Sequence, residues 1–595
     1  FHCDSSRAEF SRVPTDGAPP RRLTHGERDT APAFSPDGRF IAFLRKGAHD
    51  KPQLHVLPTG GGDARELTDL PGGAGPPRWS PDSSRVVFAV RVPADGRYGT
   101  GKSGDGETIP SEKESPRRIT GLRYRSDGEG FTLDRRSHLF VVDVTAETPA
   151  AVQITDGGQD DTDPVWHPDG SRIAFATRRH AGRDDDMVTD IATVGPDGGE
   201  VTLLTDTTRW FLDPAWTPDG AAVVAVGLEL HDGRWAAVNQ ALWRIEVGGI
   251  TRLTGPDTGV VGAPVPVGAG VHFLTENRGA VDLLSVTDDD VTTLSSGHRS
   301  LQAIAHAAGV TVVTASDATT AGELFRVDGA DLVRLTSFAT NGLTVPVTDF
   351  TAAAPDGYPV HGFLAVPSGE GPHPVLLMIH GGPFTQYGWT LLDEAQVYAA
   401  AGYAVVFGNP RGSSGYGQAH GDHIVGDVGA RSAPDLLALL DAALERPDLD
   451  GARVGVLGGS HGGFMTTWLI GHEQRFRAAV SERAVNAIDS FEGSSDIGWE
   501  FADALYGTDV EARRRQSPLT YADDIETPVL IIHSEQDWRC PVEQAQRLYV
   551  ALRRRGATAE LLLFPGEGHE LSRSGLPSHR VARFEAILDW FDRHV

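Results

Sequence analysis

The sequence predicts two domains: a seven-bladed β-propeller, then an α/β-hydrolase domain with a doubly wound, mostly parallel sheet. Three observations carry this. A Pro-Asp turn flanked by strands recurs through the first half. Short apolar runs alternate with helical patterns after about residue 345. Within that second half, Gly458-Gly459-Ser460-His461-Gly462 stands between an apolar run and a helical pattern, as in the strand–turn–helix that exposes a nucleophilic serine.

The repeat comes first in the chain. Ala33-Phe34-Ser35-Pro36-Asp37-Gly38 recurs as Arg78-Trp79-Ser80-Pro81-Asp82-Ser83, Val165-Trp166-His167-Pro168-Asp169-Gly170 and Ala215-Trp216-Thr217-Pro218-Asp219-Gly220. Each copy reads as an aromatic-ended strand, a tight turn and an alternating strand. A closing segment also repeats, as in Glu66-Leu67-Thr68, Gln153-Ile154-Thr155, Leu204-Thr205, Leu253-Thr254 and Leu335-Thr336. Four short strands per unit, at about 40–50 residues, is the signature of propeller blades. Weaker copies lie near 265–274 and 303–314, giving six visible units, four of them clear; the N-terminal segment closes a seventh. Trp79 and Trp166 are twice the usual spacing apart. The excess is a polar stretch at about 91–134, read as a partly mobile insertion in one blade. The expected domains are an N-terminal segment 1–25, packing on the hydrolase domain or closing the propeller, the propeller 26–343 and the catalytic domain 344–595.

The second half alternates. Apolar runs at Pro374–Ile379, Tyr403–Phe407, Arg453–Leu457, Arg477–Val480, Pro528–His533 and Ala559–Phe564 read as strands buried on both faces. Helical patterns lie at Glu394–Ala401, Ala433–Leu444, Gln544–Arg554 and His579–His594. Catalytic groups then belong at strand carboxyl ends.

On this scaffold the nucleophile Ser460 is followed in chain order by an acid and a histidine. Asp537, after the run ending at His533, is the acid chosen over Glu535. His569, in the Gly-rich loop after Phe564, is the base; His579 and His594 read as surface residues of the last helix. The Gly382 and His461 N–H groups are the expected oxyanion donors. Trp499, in the 496–501 segment, and Phe384, after the 380–383 turn, are expected to border the substrate. No metal or other cofactor is implied: His420 and His423 sit in a loop with no third ligand evident.

Apolar residues make up 39% and charged residues 23% of the 595, which marks a globular chain. The formal charge of −28 argues against nucleic-acid binding. No apolar run is long enough to span a membrane. Only two cysteines, Cys3 and Cys540, occur, which fits a reducing cytoplasm. The first residues, Phe1-His2-Cys3-Asp4, lack Met and an apolar signal core and read as a trimmed end. A homo-oligomer is compatible with all of this.

The chain resembles the prolyl oligopeptidase family of serine peptidases, in particular its acylaminoacyl peptidase branch. The matching segments are His380-Gly381-Gly382-Pro383, Asn409-Pro410-Arg411-Gly412, the elbow around Ser460, Ser517-Pro518, Asp537-Trp538-Arg539-Cys540-Pro541 and Gly568-His569. The resemblance implies a propeller that filters substrates by size, hence short peptides. It also implies that Arg539 binds a substrate carbonyl. Cys540 departs from the small aliphatic residue usual at its position. The dipeptidyl-peptidase branch reads a free amino terminus with adjacent glutamates, and only Asp127-Gly128-Glu129-Gly130 comes near that pattern. A carboxypeptidase, an esterase and a non-catalytic scaffold stay open. The first would need a cation aimed at the substrate carboxylate, and the insertion holds Lys102, Lys113, Arg117, Arg118, Arg123 and Arg125.

Overall fold

The computed structural model describes residues 8–26, 28–47, 51–103, 106–230, 234–288, 290–338 and 345–595. Among them, the first half forms six four-stranded antiparallel units: 29–66, 78–153, 161–203, 209–252, 259–295 and 300–334. The last two share one bridge, between Val281 and Ser300. A two-stranded hairpin, Ser11–Arg12 with Arg21–Arg22, adds to the six. Phe10 beside it packs edge-on against Phe43 of the first blade at 5.7 Å, and Arg326 of the sixth blade donates to the Thr15 carbonyl at 2.9 Å. The hairpin thus bridges first and last blades. The boundary expected at 343/344 and Cys3 lie outside the described residues.

The repeated residues have a local cause. In each clear blade the side chain before Pro-Asp donates to the aspartate: Ser35 to Asp37, Ser80 to Asp82, His167 to Asp169 and Thr217 to Asp219, all at 2.6 Å. Each aspartate also accepts the N–H two residues on, a side-chain-closed turn. The turn needs a left-handed residue, met by Gly38, Gly170 and Gly220 and, at a cost, by Ser83 at φ 63°. The closing threonines accept from the third strand: Thr68 from Leu54, Thr155 from Leu139, Thr205 from Ile191, Thr254 from Leu242 and Thr336 from Leu324, at 2.9–3.0 Å. They thereby satisfy N–H groups that lie beyond the reach of the short fourth strand.

The second half is built on eight strands: β1 Val347–Ala353, β2 Pro359–Ala365, β3 His373–Ile379, β4 Ala404–Asn409, β5 Leu449–Gly459, β6 Ala478–Glu482, β7 Val529–Ser534 and β8 Ala559–Phe564. Their order is β1-β2-β4-β3-β5-β6-β7-β8. The first two pairings are antiparallel and the rest parallel. The inner strands are covered on both faces, which is why β3, β4, β6 and β7 are continuous buried runs, whereas the edge strand β1 is largely exposed. The helix at Val428–Leu444 begins five residues before the pattern at 433 suggests and carries Pro434 inside it. His420, expected in a loop, lies in a short helix, Gln418–Asp422. It is buried, accepts from Tyr358 O–H at 2.8 Å and donates to the Pro410 carbonyl at 3.0 Å.

The two halves are in direct contact. Trp389 N–H donates to the Gly279 carbonyl at 2.8 Å, and the Trp389 ring stacks on His298 at 4.0 Å. Gln418 joins Asn239 N–H and the Ala237 carbonyl. The polar insertion, expected to be partly mobile, is tied down at its 125–131 hairpin, which reaches the hydrolase domain.

Candidate active site

Five strand ends converge on one cavity of about 580 Å³. β3 supplies His380–Pro383, β5 Ser460, β6 Glu482 and Arg483, and the loops after β7 and β8 supply Arg539, Cys540 and His569. Propeller residues Trp210, Trp235 and Gln240 complete the wall, so the cavity lies between the domains. A larger groove, about 1010 Å³, lies on the outer face of the hydrolase domain and holds none of the candidate residues.

Ser460 sits at φ 60° and ψ −121°, a strained backbone that only its surroundings can enforce. Its N–H donates to the Glu482 carbonyl at 3.0 Å, and its carbonyl accepts from Phe464 at 2.9 Å. The flanking glycines follow from crowding. A Cβ on Gly462 would lie 2.1 Å from the Ile379 carbonyl oxygen, and one on Gly463 would lie 2.6 Å from that of Glu482. The helix His461–His472 therefore starts in contact with β3 and β6, and no larger residue fits there.

Asp537 is buried and receives two hydrogen bonds. Cys540 N–H reaches Oδ1 and His569 Nδ1–H reaches Oδ2, each at 2.8 Å. The second bond fixes the tautomer: with Nδ1 protonated, His569 Nε2 is the free acceptor. Burial pushes His569 well below the usual histidine range, and the cations of Arg483 and Arg539 push it the same way. The imidazole is thus neutral at neutral pH, the form needed of a base. Burial also raises Asp537, against the pull of His533 and Arg483. Among the described residues no hydrogen bond joins Ser460 to His569; the Ser460 side chain instead contacts the Cys540 thiol. Burial keeps that thiol protonated. Glu535, the competing acid, lies on the outside of the loop and is exposed.

The Gly382 and His461 N–H groups face no backbone carbonyl among the described residues. Gly382 has φ +117°, and a Cβ on Gly381 would approach that of Ser460 to 3.6 Å, so the 380–383 turn rests on the elbow. Phe384 lines the cavity. Trp499 does not; it lines a neighbouring chamber of about 450 Å³ that shares Trp210, Trp235, Ile497 and Arg539 with the first. It is Phe501 of the same segment that faces the cavity around Ser460. Arg539 is committed in part: Nε and Nη2 donate to Asp496 at 2.8 and 3.1 Å, which leaves Nη1 for another acceptor.

Two groups escaped the sequence reading. Arg483 follows β6 at φ 38°, its guanidinium against Gly459, and its Nη1 lies 3.0 Å from Glu482. Burial alone would raise Glu482, but Arg583 and Arg483 hold it down at about 2. The polar run Ser481-Glu482-Arg483 ending a buried strand was the available signal. The second is the chamber, of whose arginines only Arg123 and Arg125 were among the cations considered for a substrate carboxylate. Seven arginines and five carboxylates line it, a positive surplus in a strongly acidic chain. Among the described residues Arg123 and Arg178 form no ion pair; each donates to the Asp186 carbonyl, at 3.0 and 3.2 Å. Burial lowers both, Arg178 to about 9, and raises the facing Glu500 to about 7.

A strained serine elbow, a carboxylate-bound neutral histidine and a propeller roof over both define a serine peptidase of the propeller-capped class. A family model described as "Prolyl oligopeptidase family" matches residues 389–595. The uncharacterized peptidase YuxL of Bacillus subtilis is 34% identical over 96% of this chain and 91% of its own length. The chain belongs to the prolyl oligopeptidase family. It is also 25% identical to dipeptidyl-peptidase 5 of Porphyromonas gingivalis, over 98% of this chain and 89% of that one. Among solved structures, acylaminoacyl peptidase of Pyrococcus horikoshii superposes with a TM-score of 0.84 at 24% identity, covering 97% and 90% of the two chains.

Proposed function

We propose that this peptidase hydrolyses short peptides through an acyl-enzyme on Ser460, in the manner of an acylaminoacyl peptidase. The observation that carries the reading is the 2.8 Å bond from His569 to buried Asp537, in the loops beside the strained Ser460 elbow. His569 Nε2 takes the Ser460 proton as Oγ attacks the scissile carbonyl. The His461 and Gly382 N–H groups receive the oxyanion, and His569 returns the proton to the leaving amine. Water then repeats the sequence to release the acid. Arg539 Nη1 donates to a backbone carbonyl on the acyl side, and Phe384 and Phe501 flank apolar side chains. The interdomain position of the cavity supports short substrates, and a sequence with only two cysteines supports a cytoplasmic setting.

A second reading rests on the chamber. Arg123 and Arg178, which form no ion pair among the described residues, are suited to a free terminal carboxylate, as a carboxypeptidase requires. The dipeptidyl-peptidase reading is less favoured, because its acidic candidates are engaged: Glu129 pairs with Arg91, and Asp127 accepts backbone N–H groups. A matched set of one apolar sequence decides: N-acetyl peptide, free peptide and C-terminal amide. Cleavage of the acetylated amide is expected. Turnover of free carboxylates alone, with release of the last residue, would overturn the acylaminoacyl reading and leave the second.

A further inference from the structure

The insertion of the second blade carries a short hairpin, Arg125–Ser126 with Gly130–Phe131. Its turn presents Asp127 to the hydrolase domain. Asp127 Oδ1 accepts Trp538 N–H at 2.8 Å, and Oδ2 accepts His569 N–H at 3.3 Å. One propeller carboxylate therefore joins the loop that carries Asp537 to the loop that carries His569. Asp127 N–H donates to Asp496 Oδ2 at 2.8 Å, and Asp496 holds Arg539. The flanking residues hold the turn in place. Phe131 packs edge-on against Trp538 at 5.3 Å, and the Arg125 guanidinium lies over the same indole at 5.1 Å. A Cβ on Gly568 would lie 3.6 Å from both Asp127 carboxylate oxygens, ordinary contact distance, so the His569 loop packs directly against the Asp127 carboxylate.

We propose that Asp127 is a positioning residue. Seated from the propeller, it sets the distance between the Asp537 and His569 loops, so that the imidazole is aligned for Ser460 only while the hairpin is docked. It touches neither the reacting atoms nor the substrate. Its carboxylate is suited to the task because one anion satisfies two backbone N–H groups from different loops, and those bonds are stronger than neutral ones. Catalysis is sensitive to misplacement of this kind: about 1 Å of displacement costs on the order of 100-fold. The inference rests on the triad reading above.

The test compares Asp127→Ala and Asp127→Asn in the full chain, with an N-acetyl chromogenic amide and with fluorophosphonate labelling of Ser460, which needs the triad but no peptide subsite. For Asp127→Ala, kcat should fall about 10- to 100-fold, with KM changed less than about 3-fold and the labelling rate falling in step. Asp127→Asn keeps one acceptor for Trp538 but turns an N–H toward His569 N–H or loses that contact, and should fall between wild type and Ala. If Ala fails to fold, Asn alone decides. Unchanged kcat in the folded variants overturns the inference. A loss confined to KM with normal labelling also does, because Asp127 would then be a substrate contact. Failure of the triad reading looks different: Ser460→Ala would stay active, and fluorophosphonate would label another residue.

Discussion

Replacing Arg539 with alanine separates its two roles by magnitude. Nε and Nη2 are engaged by buried Asp496, so one N–H pair, on Nη1, is left for a substrate carbonyl. A hydrogen bond from a charged donor is worth about 1.5–3 kcal/mol. At about 1.36 kcal/mol per tenfold, Arg539→Ala should lower kcat/KM for a peptide substrate by roughly 13- to 160-fold. A small activated ester lacking that carbonyl should lose less than about 3-fold, well under one such bond. The substitution also strips Asp496 of its cation. Asp496 still accepts from Asp127 N–H, and the arginine side chain is 36% exposed, so the stability loss should fall below the 3–5 kcal/mol of a fully buried pair, at about 1–2 kcal/mol. The assay is kcat/KM for N-acetyl-peptide anilide and p-nitrophenyl ester in parallel, with urea unfolding of both proteins. Equal losses on amide and ester would refute the substrate role and leave Arg539 as a strut for Asp496. Arg539→Lys keeps a charge without the fork and should recover little of the peptide activity.

Two other predictions concern the groups around Ser460. His569 must be neutral to act, and burial with Arg483 and Arg539 depresses it while Asp127 and Glu570 raise it; kcat/KM should therefore rise with pH along a limb centred below the free-histidine value of about 6.5, and a limb centred above about 7 would contradict the neutral-base account. Cys540 should be dispensable: its N–H, not its thiol, serves Asp537, so Cys540→Val should keep activity, and an inactive valine variant would assign the thiol a role.

Much of this site was legible in the sequence, for local reasons. The elbow glycines are dictated by carbonyl oxygens 2.1–2.6 Å from a missing Cβ, and such constraints leave a motif. The blade repeat is legible because the same side-chain-to-aspartate bond closes each turn, and a Ser, Thr or His before Pro-Asp is what that bond requires. The 496–501 segment lines the cavity beside Ser460 and the neighbouring chamber, but which of its residues faces which was not readable. Gly498–Tyr506 is a helix, so Trp499 and Phe501, two apart, point about 200° from each other, toward different cavities. The role of Asp127 was illegible because it depends on docking between domains, and Arg123 was legible only as one of several cations, without its partner Arg178. Asp127 is more than 400 residues from His569, and no local pattern encodes that contact. Arg483 was missed for a related reason: it follows a buried strand whose apolar run draws attention away from its polar end.

The most direct measurement is mass spectrometry of the acyl-enzyme trapped from an N-acetyl-phenylalanyl activated ester at low pH, followed by peptide mapping and by turnover of Ser460→Ala. The account predicts one acyl group, located on Ser460, and a loss of at least about 10³-fold in the alanine variant, since the groups of a triad act as a unit. An acyl group on another residue, or an alanine variant within about tenfold of wild type, far short of that loss, would contradict it.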